Sequence, residues 1–397
     1  MSEEKLLPSV DLKKSTLILL ALCAFLLFDF VQLNMMGAVS PYLISILSIS
    51  KYQLGLLSSL FFYVNLALLI PAAILLDKYE PKWFIIFSII FAIIGIKFFI
   101  IHSTIETAIL WRAFSGIAGA FSYISCIKII ATYFPKKLKG LLIGSTGIVI
   151  MLSGVIAQYP IEKLSATYGL NFVLSSDIFF GLSVIFILLF IPKSKNLNAS
   201  KSEINHNFSP YKKTKNWFIA MYACLTNFPL FVIGALWGNL FLHNAHGISL
   251  SNAAIATSLI FTGNMVGAPI LGTISDRIEN KRILMVLSAS LYLLSMSLIL
   301  LYHGSQLIVL DILFFILGVS TGSQTLAYAM VVDCNPQPNV ARATSLLSLF
   351  SVGGGAIAQP FFGWLVSNNN YNNGLYFLIL CAIASIFIAY YALKKLY

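Results

Sequence analysis

SLFFYVN, residues 59–65, returns 199 residues later as SLIFTGN, residues 258–264, with Ser59 over Ser258, Phe62 over Phe261 and Asn65 over Asn264. The same offset sets Asp77, Lys78 and Glu80 over Asp276, Arg277 and Glu279. At an offset of 201, Pro135 meets Pro336 and GVIAQ (154–158) meets GAIAQ (355–359). Chance readily supplies one such match; two blocks in chain order at nearly one offset mark an internal repeat.

What is repeated is a membrane unit. The 397 residues are 59% hydrophobic and 10% charged, against roughly 45–50% and about 25% in a soluble domain, which excludes a soluble enzyme. A membrane helix needs about 20 apolar residues, and apolar runs predict helices over 16–40, 53–76, 83–102, 105–133, 139–160, 172–191, 216–242, 252–275, 282–302, 306–333, 342–366 and 372–393. With the N-terminus inside, cytoplasmic segments hold 20 of the 25 basic residues, and outer loops hold only Lys51 and Lys163. That asymmetry places both termini in the cytoplasm and explains the net charge of +11 without nucleic acid. The five cysteines show no metal-site spacing, so neither metal nor cofactor is expected.

The longest break is polar and basic (192–215, PKSKNLNASKSEINHNFSPYKKTK) and reads as a flexible cytoplasmic linker. It separates a six-helix bundle in 1–191 from another in 216–397. The fold expected is an all-α membrane protein, twelve transmembrane helices in two pseudo-symmetric six-helix bundles. Parallel repeats of this kind enclose a midplane cavity between them, the geometry of a carrier.

GTISDRIENKR (272–282) resembles the cytoplasmic signature of the major facilitator superfamily through Gly272, Asp276, Arg277, Lys281 and Arg282. Its copy AILLDKYEPK (73–82) is degraded, with Ala73 for the glycine and Lys78 for the arginine, while Asp77 and Lys82 remain. WRAFSGIAGA (111–120) is similar to the family's fourth-helix pattern through Arg112, Gly116 and Ala120. The proline-glycine motif of drug exporters is missing from the fifth helix. Shorter stretches, among them VSPYL (39–43) and ALWGNLFL (235–242), look like a proteobacterial branch of undefined substrate. The resemblance implies a secondary transporter in a bacterial inner membrane, monomeric, with lipid, a small solute and protons as partners. Asp77, Lys78, Gly272, Asp276, Arg277 and Asp333 then form the gate, with Asp333 drawing Arg277 or Arg282.

Charge within a span is costly, so each intramembrane polar group is a site candidate. Asp29 lies near the middle of the first span, the only acid so placed in this reading, with Gln32 and Met36 on its face. Arg112 in the fourth span shares a face with Gly116, Gly119 and Tyr123. Lys128 falls on the other side, near the inner end, where snorkelling accounts for it. The second half offers Ser320, Gln324 and Tyr328, recurring every four residues, and Asn227 with Trp237 and Asn239 in the seventh span. Gly144, Gly147, Gly263, Gly267 and Gly353 to Gly355 are expected at close helix contacts. One acid and one base among neutral hydrogen-bonding groups suit an amino acid, short peptide or organic anion. A proton-driven exporter of drugs or siderophores is the alternative. A membrane-embedded hydrolase would need a base near its nucleophile, and no histidine lies mid-span.

Overall fold

The computed structural model describes residues 12–191, 210–278 and 280–392. Most of the linker (192–209), Glu279 and the two chain ends, residues 1–11 and 393–397, lie outside the described residues, so the linker and terminus expectations fall there.

Among the described residues the chain is helical and contains no strand. The helices are α1 (Leu12–Asn34), α2 (Met36–Leu47), α3 (Lys51–Lys78), α4 (Pro81–His102), α5 (Ile105–Tyr133), α6 (Lys136–Tyr168) and α7 (Leu170–Leu189), followed by α8 (Thr214–Phe228), α9 (Gly238–His246), α10 (Leu250–Ser275), α11 (Lys281–Leu301), α12 (Leu307–Thr321), α13 (Gln324–Cys334), α14 (Gln337–Leu365) and α15 (Tyr371–Phe387). They supply 12 spans long and apolar enough to cross a membrane.

Three spans are interrupted. The first breaks at Met35 between α1 and α2, the seventh passes through a π-helical stretch (Pro229–Trp237), and the tenth breaks at Gly322 and Ser323. A freed helix carbonyl in a bilayer must find a donor inside the protein. Gln158 Nε2 donates to the Asn34 carbonyl (2.7 Å), and Gln359 Nε2 donates to that of Phe231 (2.9 Å). These are the glutamines of the repeated G-x-I-A-Q, one at each matched interruption.

The fifth span does not stop at Pro160. Helix α6 contains that proline and ends at Tyr168, where Gly169 takes φ 85°. Lys163 is therefore a helical residue near the end of a span rather than part of a loop. Glycines lock other spans together: a Cβ on Gly318 would lie 2.1 Å from the Ile260 carbonyl oxygen, and one on Gly263 would lie 2.1 Å from that of Phe315. Backbones this close need residues without side chains.

The apolar core is shared at one end only. Two clusters join both halves, a large one that includes Val39, Leu54, Trp111, Trp237, Phe261 and Phe362 and a smaller one of Leu33, Phe61, Phe62, Ala235 and Ala356. Towards the other end, where Lys137, Lys139, Arg277 and Lys281 lie, the core divides, Phe25 and Ile130 belonging to one cluster and Met285 and Met330 to another.

Candidate functional site

Asp29 is 1% exposed, walled in by the aromatic and aliphatic side chains of the first-half core. Its carboxyl meets the Ser122 hydroxyl of α5 and the field of Arg112, and Oδ1 has no hydrogen-bond partner. One turn further on, Gln32 donates from Nε2 to Asp177 of α7. Its Oε1 accepts from Trp111 Nε1 (2.8 Å) and Ser115 Oγ (3.1 Å). Arg112, also fully buried, donates from Nη1 to the Gln32 carbonyl (2.7 Å) and from Nη2 to that of Ser58 (3.1 Å), with its guanidinium 5.3 Å from the Phe61 ring centre.

Asp177 overturns the expectation that Asp29 is alone. Asp177 is the eighth of the 20 residues of α7, an acid that the sequence reading does not single out. Packing brings α7 against α1 so that this carboxyl reaches Gln32. The signal available was an acid inside an apolar run; its depth was not.

The second half buries neutral groups. Asn227 is enclosed, with Oδ1 unbonded. Ser320 turns back on the Leu317 carbonyl (2.6 Å), while Gln324 reaches Ser351 Oγ (3.2 Å) and Tyr328 pairs with Ser348 Oγ (3.0 Å), both on α14. A spacing of four makes one stripe only on an unbroken helix, and the break at Gly322 separates Ser320 from the other two. Trp237 is fully buried, donates to the Gln359 carbonyl (3.1 Å) and stacks on Phe362. It stands in the packing at the shared core. Tyr123 parts from Arg112: it is 41% exposed, meets Thr146 and faces Tyr328 across the two halves.

The two ends differ. At the shared end Lys51 Nζ, from the first half, reaches Asn369 Oδ1 (2.6 Å) and the Val366 carbonyl (3.3 Å), and lies 4.3 Å from the Tyr371 ring centre. Asn239 donates across the halves to Gln158 Oε1 (3.0 Å). A Cβ on Gly55 would come within 2.7 Å of Pro360 Cα. At the basic end two ion pairs among the described residues each lie within one half. Lys128 lies 3.6 Å from Asp77, so a carboxylate rather than the membrane surface receives it. Asp333 takes Lys281, not Arg277 or Arg282, because Lys281 opens α11 beside the end of α13 while Arg277 sits in the turn after α10. Lys78, Asp276 and Arg277 are exposed. Cβ atoms on Gly140, Gly144, Gly147 and Gly272 would meet nothing within 4 Å. Gly144 and Gly147 are therefore not at a close helix contact here. His243 and His246 engage separate carbonyls, of Ile248 and Gly304.

Among curated proteins none matches the chain. Among solved structures it is similar to a bacterial homologue of the human lysosomal transporter Spinster. In the inward-facing, unoccupied form of that protein the TM-score is 0.76 at 17% identity, covering 97% of this chain and 99% of that one. In the inward-facing, occupied form it is 0.73 at 17% identity, covering 98% of each chain. The sequence pattern of the Major Facilitator Superfamily matches residues 19–325 and 219–396. Twelve apolar spans, a pair of glutamines at matched interruptions and a core shared at one end only go with that match: the chain belongs to the major facilitator superfamily of membrane transporters.

Proposed function

We propose that the protein is a secondary carrier that moves a small polar solute by alternating access, coupled to protons through Asp29. The observation that carries the reading is the enclosed Asp29 carboxyl, one oxygen unbonded and Arg112 its nearby cation. A carboxyl inside a span is costly unless it has a partner or a task. Residues 1–191 and 216–397 act as the rocking bundles, joined by the linker 192–215. The end bearing Lys137 and Arg277 is cytoplasmic, by the excess of Lys and Arg there, and the membrane is a bacterial inner one. The conformer is then open inward, with Lys51 and Asn369 closing the outer side.

Substrate contacts fall to the neutral groups that meet from the two halves, Tyr123, beside Thr146, with Tyr328 opposite and Gln324 one turn from Tyr328 on α13. Such a lining suits an amino acid, a short peptide or an organic anion. Asp77, Lys78, Gly272, Asp276, Arg277 and Asp333 would rearrange when the basic end closes. The test is uptake into proteoliposomes from a pooled metabolite mixture, read by mass spectrometry with and without a pH gradient. Accumulation of one solute only with the gradient supports the reading; accumulation indifferent to pH removes the proton.

A further inference from the structure

Asp29, Asp177 and Arg112 are buried around Gln32 in the first half, apart from the other buried charges there, Lys82 and Glu162. Arg112 can balance one carboxylate, yet both of its hydrogen bonds go to backbone carbonyls, those of Gln32 and Ser58. Asp177 has the Gln32 amide as its hydrogen-bond partner, and among the described residues no Lys, Arg or His lies within 4 Å of it.

The helices packed on α7 are α1, α4 and α6. Helix α1 brings Asp29, one turn from Gln32. On α4, Lys82 binds the carbonyls of Leu189 and Ile191, and Lys97 and His102 are exposed. On α6, Glu162 faces Tyr42 and Ser251, Lys163 lies over Tyr159, and Lys139 binds the Ala131 carbonyl at the basic end, where Lys137 is exposed. Among the described residues no cation is left to balance Asp177, and a bare carboxylate in the membrane interior is costly.

We propose that Asp177 is a second proton-binding site of the carrier, joined to the Asp29 and Arg112 site through Gln32. Oδ2 accepts from the Gln32 amide, so the proton sits on Oδ1. When it leaves, the cluster holds two negative groups against one guanidinium. Gln32 ties the two sites mechanically: its side-chain amide holds Asp177 while its backbone carbonyl holds Arg112, so a change of charge at one acid reaches the partner of the other. The inference rests on the proton-coupled reading above.

The test is infrared spectroscopy of the full chain in lipid nanodiscs, following the C=O stretch of protonated carboxyls through pH steps and exchange into D2O. Two responsive bands are expected. Asp177→Asn should remove one and Asp29→Asn the other, while Asp177→Glu should keep the first band at a displaced frequency. Should Asp177→Asn not fold, the displacement in Asp177→Glu carries the test. A protonated-carboxyl region unaltered by either Asp177 variant overturns the proposal. So does an Asp177 band that ignores both pH and D2O, which marks a fixed structural acid. If Asp29→Asn alone removes nothing, the reading of Asp29 fails while that of Asp177 stands.

Discussion

Gln158 and Gln359 occupy matched positions in the two halves and do matching work, each donating to a backbone carbonyl at an irregular stretch of a span. Around them the halves diverge. The first encloses Asp29, Arg112 and Asp177; the second encloses Asn227, Ser320 and a tyrosine, Tyr222, that donates to the Met285 carbonyl. Duplication therefore preserved the scaffold, where any change leaves an unpaired carbonyl in lipid, and released the polar interior, where each half could take a different task. The glutamines also differ in one respect: Gln158 Oε1 receives Asn239 from across the halves, whereas Gln359 Oε1 is unbonded.

The largest test of this asymmetry is Asp29→Asn. Uptake driven by a pH gradient should be abolished, while exchange between equally loaded compartments continues, because exchange moves no net proton. If the variant still concentrates solute at the native rate, the first half holds no coupling site. Next in size is Gly318→Ala, whose new methyl meets the Ile260 carbonyl. Overpacking costs about 1–3 kcal/mol and sometimes more, so thermal unfolding in detergent should show a large loss. Gly144→Ala, with nothing near it, should be neutral or gain up to about 1 kcal/mol in helix propensity. An equal loss at both would mean that Gly144 is packed after all.

The scaffold itself is probed by Gln158→Leu and Gln359→Leu. Each exposes one carbonyl at a cost of about 1–3 kcal/mol, and the first should lose more because Asn239 is orphaned as well. Equal melting shifts would deny the cross-half bond any weight. The smallest effect belongs to Lys281→Gln, which removes a partly exposed pair with Asp333. About 0–1 kcal/mol of stability is expected, along with weaker dependence of melting on salt.

Much of the architecture was legible in the chain. Span count and repeat needed only apolar length, charge placement and two offsets, because a bilayer imposes one length and one polarity on whatever crosses it. Helix ends were harder. Pro160 reads as a terminator by local rules, yet within a bundle neighbouring groups satisfy the backbone around it and α6 runs on.

The site divides the same way. The sequence by itself determined that Asp29 and Arg112 are buried, since a charge inside an apolar run has nowhere else to go. It could not determine that Asp177 is their neighbour, that Lys128 belongs to Asp77, or that Asp333 takes Lys281. Those pairings join spans far apart in the chain, and depth along one helix says nothing about which residue of another helix is level with it. Rotation, tilt and the breaks at Met35 and Gly322 decide that, and they are set by packing between helices.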